Sequence, residues 1–302
     1  MAINFRRLGV LAVLIAVISL AVFVLSFSYV EVGITDKIGT GGLVLTDYGL
    51  ANVPQSVAED AANMAKELYG NNWDKYNDFF NQLLSSYAEA EDTDIVVIFN
   101  SGGWGWNYPD SSPGWTSILN GIQSELDNLG CDLAVLNYRR TSETLWGVIK
   151  EFGEVATSYP TKAKDLARRV EFLTTHNPDI RVIVAGESNG SVISDSMMSI
   201  LEDNPQVYSI QTGNPFWYSS TNRERTLLMN DNGMVPDSFS RGDVYTMLWA
   251  SVKSVFKLPT HEEEPGTIGN YIRAPGHDYS WQYPQVVARV EDFLGKNFGT
   301  EH

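Results

Sequence analysis

The chain has 302 residues, of which 43% are hydrophobic and 19% charged, and its formal net charge is −16. This composition argues against an intrinsically disordered chain. The acidic charge argues against a nucleic-acid-binding protein, because phosphate contacts need clusters of Lys and Arg. A single cysteine, Cys131, excludes an internal disulfide framework.

The first segment, residues 8–30, is an apolar run without one charge, and Arg6 and Arg7 precede it. As a helix it would span about 35 Å, enough to cross a bilayer core of about 30 Å. A cleaved signal peptide and a buried helix are the alternatives, but a signal usually has a shorter apolar region and a small-residue cleavage site. We predict a single-pass anchor in residues 1–31, with the lipid bilayer as partner, and residues 32–302 outside the cytoplasm.

Two helices are predicted next, within residues 54–90. In the first, Val57, Ala61, Met64 and Leu68 recur at helical spacing before a glycine. The second covers residues 74–90. Both precede the alternating region of the chain, so we predict that they are additions to the N-terminal side of the main domain.

From residue 94 onward, short apolar runs alternate with helical patterns. The predicted strands cover residues 94–100, 132–138, 180–186, 207–213, 225–230 and 270–275. The predicted helices cover residues 116–130, 161–178, 191–203, 243–256 and 284–298. Strands flanked by helices in this way predict an α/β domain in which a predominantly parallel sheet has helices on both faces.

A five-residue motif, Gly186-Glu187-Ser188-Asn189-Gly190, lies between a predicted strand and a predicted helix. It fits the pattern G-x-S-x-G, in which the glycines allow a tight turn that presents the serine at the carboxyl end of the sheet. Ser188 is therefore a candidate nucleophile. The alternative is a serine that only caps the following helix.

A nucleophilic serine needs a neighbouring base, and the chain offers four histidines. His302 is the last residue, His176 precedes the strand of the motif and lies at the opposite edge of the sheet, and His261 lies in an acidic loop. His277 follows the last predicted strand. We predict His277 as the base of Ser188.

An acid that orients the histidine is expected at a strand end between Ser188 and His277. Asp231 stands directly after a predicted strand and is the first candidate; Asp237 and Asp243 are the alternatives. Asn232 occupies another plausible register. An asparagine in that role would weaken catalysis, which leaves open a catalytically inactive binding protein.

The oxyanion hole of such a site needs two backbone N–H groups. Asn189 is predicted to supply one, and either Gly103 or Trp104 the other. Aromatic side chains at loop positions, Trp106 and Trp217 among them, would form an apolar rim for an acyl or lipid-like ester, unless they fill the core.

Together these features resemble the α/β-hydrolase-fold serine hydrolases of the esterase and lipase type. The resemblance covers residues 94–298 and rests on "GESNG", the glycine-rich "NSGGWGW", a late acid and a final "GHD", in the order Ser, Asp, His. It implies hydrolysis of an ester through an acyl-enzyme, with no cofactor and no metal. An acyltransferase on the same fold is an alternative. The motif departs from the family pattern at Glu187, where histidine is common.

Overall fold

The computed structural model describes most of the chain after residue 52. The described ranges are residues 53–103, 112–138, 159–221, 223–255, 266–268 and 272–299. The chain divides into two compact units, residues 1–41 and 42–302, and every described residue belongs to the second. Within the described ranges no helix is long and apolar enough to cross a membrane. The predicted anchor lies outside these ranges and stays a prediction.

The elements of the described residues follow the predicted alternation. The helices are α1 Gln55–Tyr69, α2 Trp73–Ala90, α3 Pro113–Asn128, α4 Pro160–His176, α5 Asn189–Ile200, α6 Val244–Val255 and α7 Pro284–Phe298. The strands are β1 Ile95–Asn100, β2 Leu133–Asn137, β3 Arg181–Glu187, β4 Val207–Thr212, β5 Thr226–Met229, β6 Thr267–Ile268 and β7 Ile272–Arg273.

Strands β1 to β5 form one sheet in the order β2-β1-β3-β4-β5, and every neighbouring pair is parallel. The central strands are continuous runs of β-branched and other apolar residues, and all six residues of β1 are buried. Such runs are typical of parallel strands that are covered on both faces. The predicted parallel sheet is confirmed.

Side chains that alternate along β1 pack into two separate cores, because successive residues of a strand point to opposite faces. Ile95, Val97 and Phe99 pack in one hydrophobic cluster with residues of α3 and α7. Val96 and Ile98 pack in the other with residues of α4 and α5. Each fully buried side chain of this kind contributes about 1.5–3 kcal/mol. Helices on both faces are therefore confirmed.

The strand predicted at residues 270–275 does not extend the main sheet. In the described residues it is only β7, which pairs antiparallel with β6 in a separate two-stranded ribbon. Ile272 is 42% exposed. A strand is therefore confirmed at residues 272–273, but its place in the main sheet is not, because the segment lacks the continuous apolar run that a strand buried on both faces requires.

Helices α1 and α2 form a third hydrophobic cluster, to which α4 contributes Phe172. At the end of α4, Nε2 of His176 lies 2.9 Å from a carboxylate oxygen of Asp60 on α1. The His176 ring also contacts Phe172 edge-on. This histidine belongs to the packing of the N-terminal helices against the sheet domain.

Candidate active site

The order of the strands creates a crevice between the carboxyl ends of β1 and β3. The chain leaves β1 for β2 on one side and returns to β3 on the other, so the order of the strands reverses at this point. Open α/β sheets bind ligands at such a switch point. The last residue of β1, Asn100, is paired with Gly186 of β3. The glycine-rich loop and the serine motif therefore begin side by side.

Ser188 occupies the turn between β3 and α5, as the sequence predicts. Its backbone has φ 51° and ψ −116°, a conformation that a residue with a Cβ rarely adopts. Such strain costs about 1–3 kcal/mol and is often found at functional sites. The Ser188 N–H donates to the Thr212 carbonyl at 2.9 Å, and the Ser188 carbonyl accepts from the Ser191 N–H at 2.9 Å. These bonds hold the turn, with the residue 8% exposed.

Both motif glycines are needed for space. A Cβ on Gly190 would lie 2.1 Å from the carbonyl oxygen of Asn100, which is fixed in β1. A Cβ on Gly186 would lie 2.7 Å from Ser194 Oγ and 2.8 Å from Ser191 Cα. The predicted role of the glycines, close approach of strand, turn and helix, is confirmed.

We predict that Gly190→Ala destabilises the protein by about 1–3 kcal/mol or more, because the added methyl overlaps a rigid backbone carbonyl. The matched control is Gly295→Ala in α7, where an added Cβ meets nothing within 4 Å. The control should be neutral or stabilising by up to about 1 kcal/mol. Urea unfolding of both variants measures the difference, and equal free energies of unfolding would contradict the steric account.

His277 is paired with Asp237. The imidazole Nδ1 lies 2.9 Å from Asp237 Oδ2, and the Asp237 side chain is fully buried. The same oxygen accepts from Tyr279 Oη at 2.8 Å. The other carboxylate oxygen accepts from the N–H groups of Phe239 and Ser240 at 2.9 and 3.0 Å. Together these hydrogen bonds hold the Asp237 carboxylate in place beside the His277 imidazole.

These contacts also determine the charge of Asp237. Burial alone would raise the pKa of this carboxyl, but the hydrogen bond and charge of His277 and the hydrogen bonds of Ser240 and Tyr279 hold its pKa below the ordinary value. Asp237 is therefore ionised at neutral pH. An ionised carboxylate on Nδ1 fixes the tautomer that leaves Nε2 as the base and stabilises the imidazolium that forms.

The predicted acid, Asp231, does not contact the histidine; its carboxylate accepts from the Gly233 N–H at 2.7 Å and lies 3.4 Å from Arg241. Asp231 as the partner of the histidine is thus corrected to Asp237, an alternative that the sequence left open. The third candidate, Asp243, accepts from the Thr246 N–H at 3.0 Å and caps the start of α6.

Asn232 has a structural role instead of replacing the acid. It is 1% exposed, and its amide nitrogen donates to the Asp278 carbonyl at 2.8 Å. Its amide oxygen accepts from the N–H groups of Met234 and Val235 at 2.9 and 3.1 Å. The loop that carries the acid is therefore tied to the loop that carries the histidine.

The histidine lies at the same edge of the sheet as the serine, one strand away. The Thr212 carbonyl at the end of β4 accepts from the Ser188 N–H. The next residue, Gly213, has φ 64°, and a Cβ there would lie 2.6 Å from His277 Cε1. Only glycine lets the ring pack this closely over the end of β4. Ser188 and His277 thus both lie at the end of β4, Ser188 bonded to Thr212 and the His277 ring packed against Gly213. Direct contact between Ser188 Oγ and His277 Nε2 stays a prediction.

Residues 100–103, the described part of the predicted oxyanion loop, contact the residues on either side of Ser188. Asn189 is the first residue of α5, so its N–H is one of the helix amides without an intrahelical acceptor. The Asn189 side chain donates to the Gly103 carbonyl at 3.3 Å. The Gly102 N–H donates to Glu187 Oε2 at 3.2 Å. Trp104 and Trp106 lie outside the described residues, so their predicted roles stay predictions.

Aromatic rings continue from the histidine to the surface. The Phe239 ring centroid is 4.8 Å from that of His277 and 5.3 Å from that of Trp217. Trp217 and Phe216 are 49% and 50% exposed. The predicted rim residue Trp217 thus joins the site through Phe239. Sequence reasoning missed Phe239 and Tyr279, whose only signal was their closeness in the chain to an acid and to a histidine.

Comparisons with known proteins give a likeness in structure alone. No protein-family model and no curated protein sequence matches this chain. A solved structure of Trichoderma reesei cutinase, in complex with a C11Y4 phosphonate inhibitor, is similar at 14% identity with a TM-score of 0.44, over 81% of this chain and 99% of that one. A cutinase-like protein from Cryptococcus sp. is similar at 14% identity with a TM-score of 0.38, over 69% and 97%.

Proposed function

We propose that this protein is a serine hydrolase of the α/β-hydrolase type that cleaves carboxylic esters through an acyl-enzyme on Ser188. The observation that carries the proposal is the buried His277–Asp237 pair, which packs over the strand end next to a strained serine. A serine that only caps a helix would need neither partner. Among the described residues, no group of three or more His, Cys, Asp or Glu side chains is placed to hold a metal ion.

In the first half of the reaction, Ser188 Oγ attacks the ester carbonyl carbon while His277 Nε2 takes the hydroxyl proton. The tetrahedral intermediate carries a negative oxygen, which the N–H of Asn189 and a second N–H from Gly103 or Trp104 would stabilise. When the intermediate collapses, the carbon–oxygen bond to the leaving alcohol breaks. His277 gives its proton to that alcohol, and the acyl group remains on Ser188.

In the second half, water replaces the alcohol. His277 takes a proton from the water as the oxygen attacks the acyl carbon. Collapse of the second intermediate breaks the bond to Ser188 Oγ, returns the proton to the serine and releases a carboxylic acid. An acceptor alcohol in place of water would make the same site an acyltransferase.

The surroundings favour an apolar acyl group. Phe216 and Trp217 expose about half of their surface beside Phe239, and apolar rims of this kind bind acyl chains by burial. We include in the proposal that residues 8–30 anchor the chain in a membrane, with the enzyme on the extracytoplasmic side. A bilayer would then be a source of lipid-like esters.

An inactive binding protein is the alternative from another class. That alternative required Asn232 to stand where the histidine's acid partner is needed, so that the site would lack an acid. Asp237 bonded to His277 supports an active site instead, because a binding pocket has no need for a buried carboxylate that orients an imidazole.

A series of p-nitrophenyl esters, from acetate to decanoate, tests the function in the full-length protein in detergent. We expect hydrolysis, with kcat/KM rising by up to about fourfold per added methylene as apolar surface is buried. Binding of these esters without release of p-nitrophenol would contradict hydrolysis and favour the binding protein. Release that depends on an added alcohol, with ester as the product, would favour the acyltransferase.

A further inference from the structure

One carboxyl group beside the nucleophile takes no part in the His277–Asp237 pair. Glu187 is the last residue of β3 and directly precedes Ser188. Its Oε2 accepts from the Gly102 N–H at 3.2 Å. Its Oε1 and Oε2 lie 3.2 and 3.4 Å from Ser112 Oγ. The side chain therefore joins three segments of the chain: β3, the residues after β1 and the residue before α3.

The two partners of Glu187 flank residues 103–111, the segment that includes Gly103 and Trp104, the two candidates for the second oxyanion N–H. Gly102 follows β1, and Ser112 is the residue before the first turn of α3. A Cβ on Gly102 would lie 3.2 Å from Glu187 Cγ, so the glycine lets the carboxyl approach this backbone closely. One side chain thus bonds to both of the described residues that flank this segment and ties them to the end of β3.

Glu187 can bond to Gly102 and Ser112 whether its carboxyl group is ionised or protonated. Burial raises the pKa of Glu187, and the repulsion of Asp278 adds to this rise, while the bonds from Gly102 and Ser112 and the charge of His277 oppose it. His277 and Asp278 are the titratable groups that act on it among the described residues. A carboxylate accepts from both donors. A carboxylic acid accepts from Gly102 and donates to Ser112 Oγ, which also acts as an acceptor.

We propose that Glu187 is a positioning residue, which holds the backbone at Gly102 and Gly103 in place for the developing oxyanion by bonding to Gly102 and Ser112 at once. The inference rests on the proposed function, since it names what supports the oxyanion side of that site. Glu187 acts through the loop and does not itself touch the reacting atoms. The requirement is geometric: one acceptor for Gly102 N–H and one partner for Ser112 Oγ.

Glutamine meets this requirement and alanine does not, so the two variants separate geometry from charge. In Glu187→Gln the amide oxygen accepts from Gly102 and the amide nitrogen donates to Ser112. We expect E187A to lower kcat on a p-nitrophenyl ester about 10²-fold, since a misplaced loop costs rate. KM should change less than about threefold, and E187Q should stay within about tenfold of wild type. The control is Glu202→Ala, an exposed glutamate after α5, which should leave kcat unchanged.

Two results would overturn the inference. E187A with kcat close to wild type would show that the loop does not need this side chain. E187Q as slow as E187A would show that the charge matters and the hydrogen bonds do not. Where E187A fails to fold, Ser112→Ala removes one of the two bonds; we expect a smaller fall in kcat, about three- to tenfold, and no fall would count against the proposal.

Amide hydrogen exchange tests the same bond without any turnover. In the full-length protein, E187A should speed exchange in a peptide that covers residues 95–103, and E187Q should restore protection, since Gly102 N–H regains an acceptor. Unchanged exchange in E187A would overturn the inference even if no ester is hydrolysed. If the wild-type protein hydrolyses no ester but Glu187→Ala still speeds exchange in residues 95–103, the result would count against the proposed function alone.

Discussion

Asp237→Asn is expected to lower kcat/KM on an ester about 10⁴-fold, the effect of presenting the base in the wrong tautomer. In the native site Asp237 Oδ2 accepts from His277 Nδ1 and from Tyr279 Oη. An asparagine can turn an N–H toward Nδ1, which would then become an acceptor and leave the proton on Nε2. The nitrogen that must take the proton of Ser188 would no longer be free to do so.

Asp231→Asn is the matched control for this substitution. Asp231 lies on the same loop, and its carboxylate contacts Gly233 and Arg241. We expect its kcat/KM to stay within about threefold of wild type, as for a surface ion pair that contributes little. Steady-state kinetics with one ester decide between the two. A larger fall for D231N than for D237N would restore Asp231 as the acid and contradict the geometry.

The stability of the D237N variant gives a second readout with a defined dependence on pH. Because the pKa of Asp237 is lowered in the folded state, its contribution to stability is present above the unfolded-state pKa of about 3.9 and is lost as the pH falls through the folded-state pKa. We expect D237N to unfold with about 1–3 kcal/mol less free energy at pH 7. The difference from wild type should shrink toward pH 3 in urea titrations; a constant difference would contradict an ionised acid.

Ser188→Ala should produce the largest loss of all, up to about 10⁶-fold in kcat, since no acyl-enzyme can form. The alanine methyl replaces a hydroxyl that makes none of the bonds holding the turn, which use the Ser188 backbone N–H and carbonyl. The variant should therefore fold. Its backbone keeps the strained φ of 51°, so a modest loss of stability is the most that we expect.

A second serine nearby makes the control for S188A specific. Ser196 lies on α5, about two turns beyond Ser188, and its Oγ is 3.3 Å from Tyr218 Oη. Ser196→Ala removes a hydroxyl from the helix that follows Ser188 without touching the site, so its turnover should match wild type. Residual turnover in S188A equal to that of S196A would mean that another group, or no covalent step, carries the reaction.

The serine turn could be predicted from the sequence because its constraints are local. A buried β-branched strand, two glycines and a helix leave few conformations, and the contacts of Gly186 and Gly190 match that expectation. The parallel sheet followed for the same reason. Its strands β1 and β3 are largely continuous apolar runs, which must be covered on both faces.

The sequence could not single out Asp237 among the three aspartates as the partner of His277, because that partner depends on how a loop folds back. Asp231 stands two residues after the end of β5, but its backbone forms a bridge with Pro236, and Asn232 fixes the turn to the loop of the histidine. That turn brings Asp237, six residues later, to the imidazole. Nothing in the spacing of the aspartates indicates this return of the chain. The role of Glu187 was hidden in the same way, since Gly102 and Ser112 are distant in sequence.

The most direct test of the activated serine is to locate a covalent adduct. The full-length protein in detergent is treated with a fluorophosphonate, and the modified residue is found by tandem mass spectrometry. We predict an adduct on Ser188, which forms much more slowly in His277→Ala. No adduct at Ser188, or an adduct whose rate of formation is the same without the imidazole, would contradict the account.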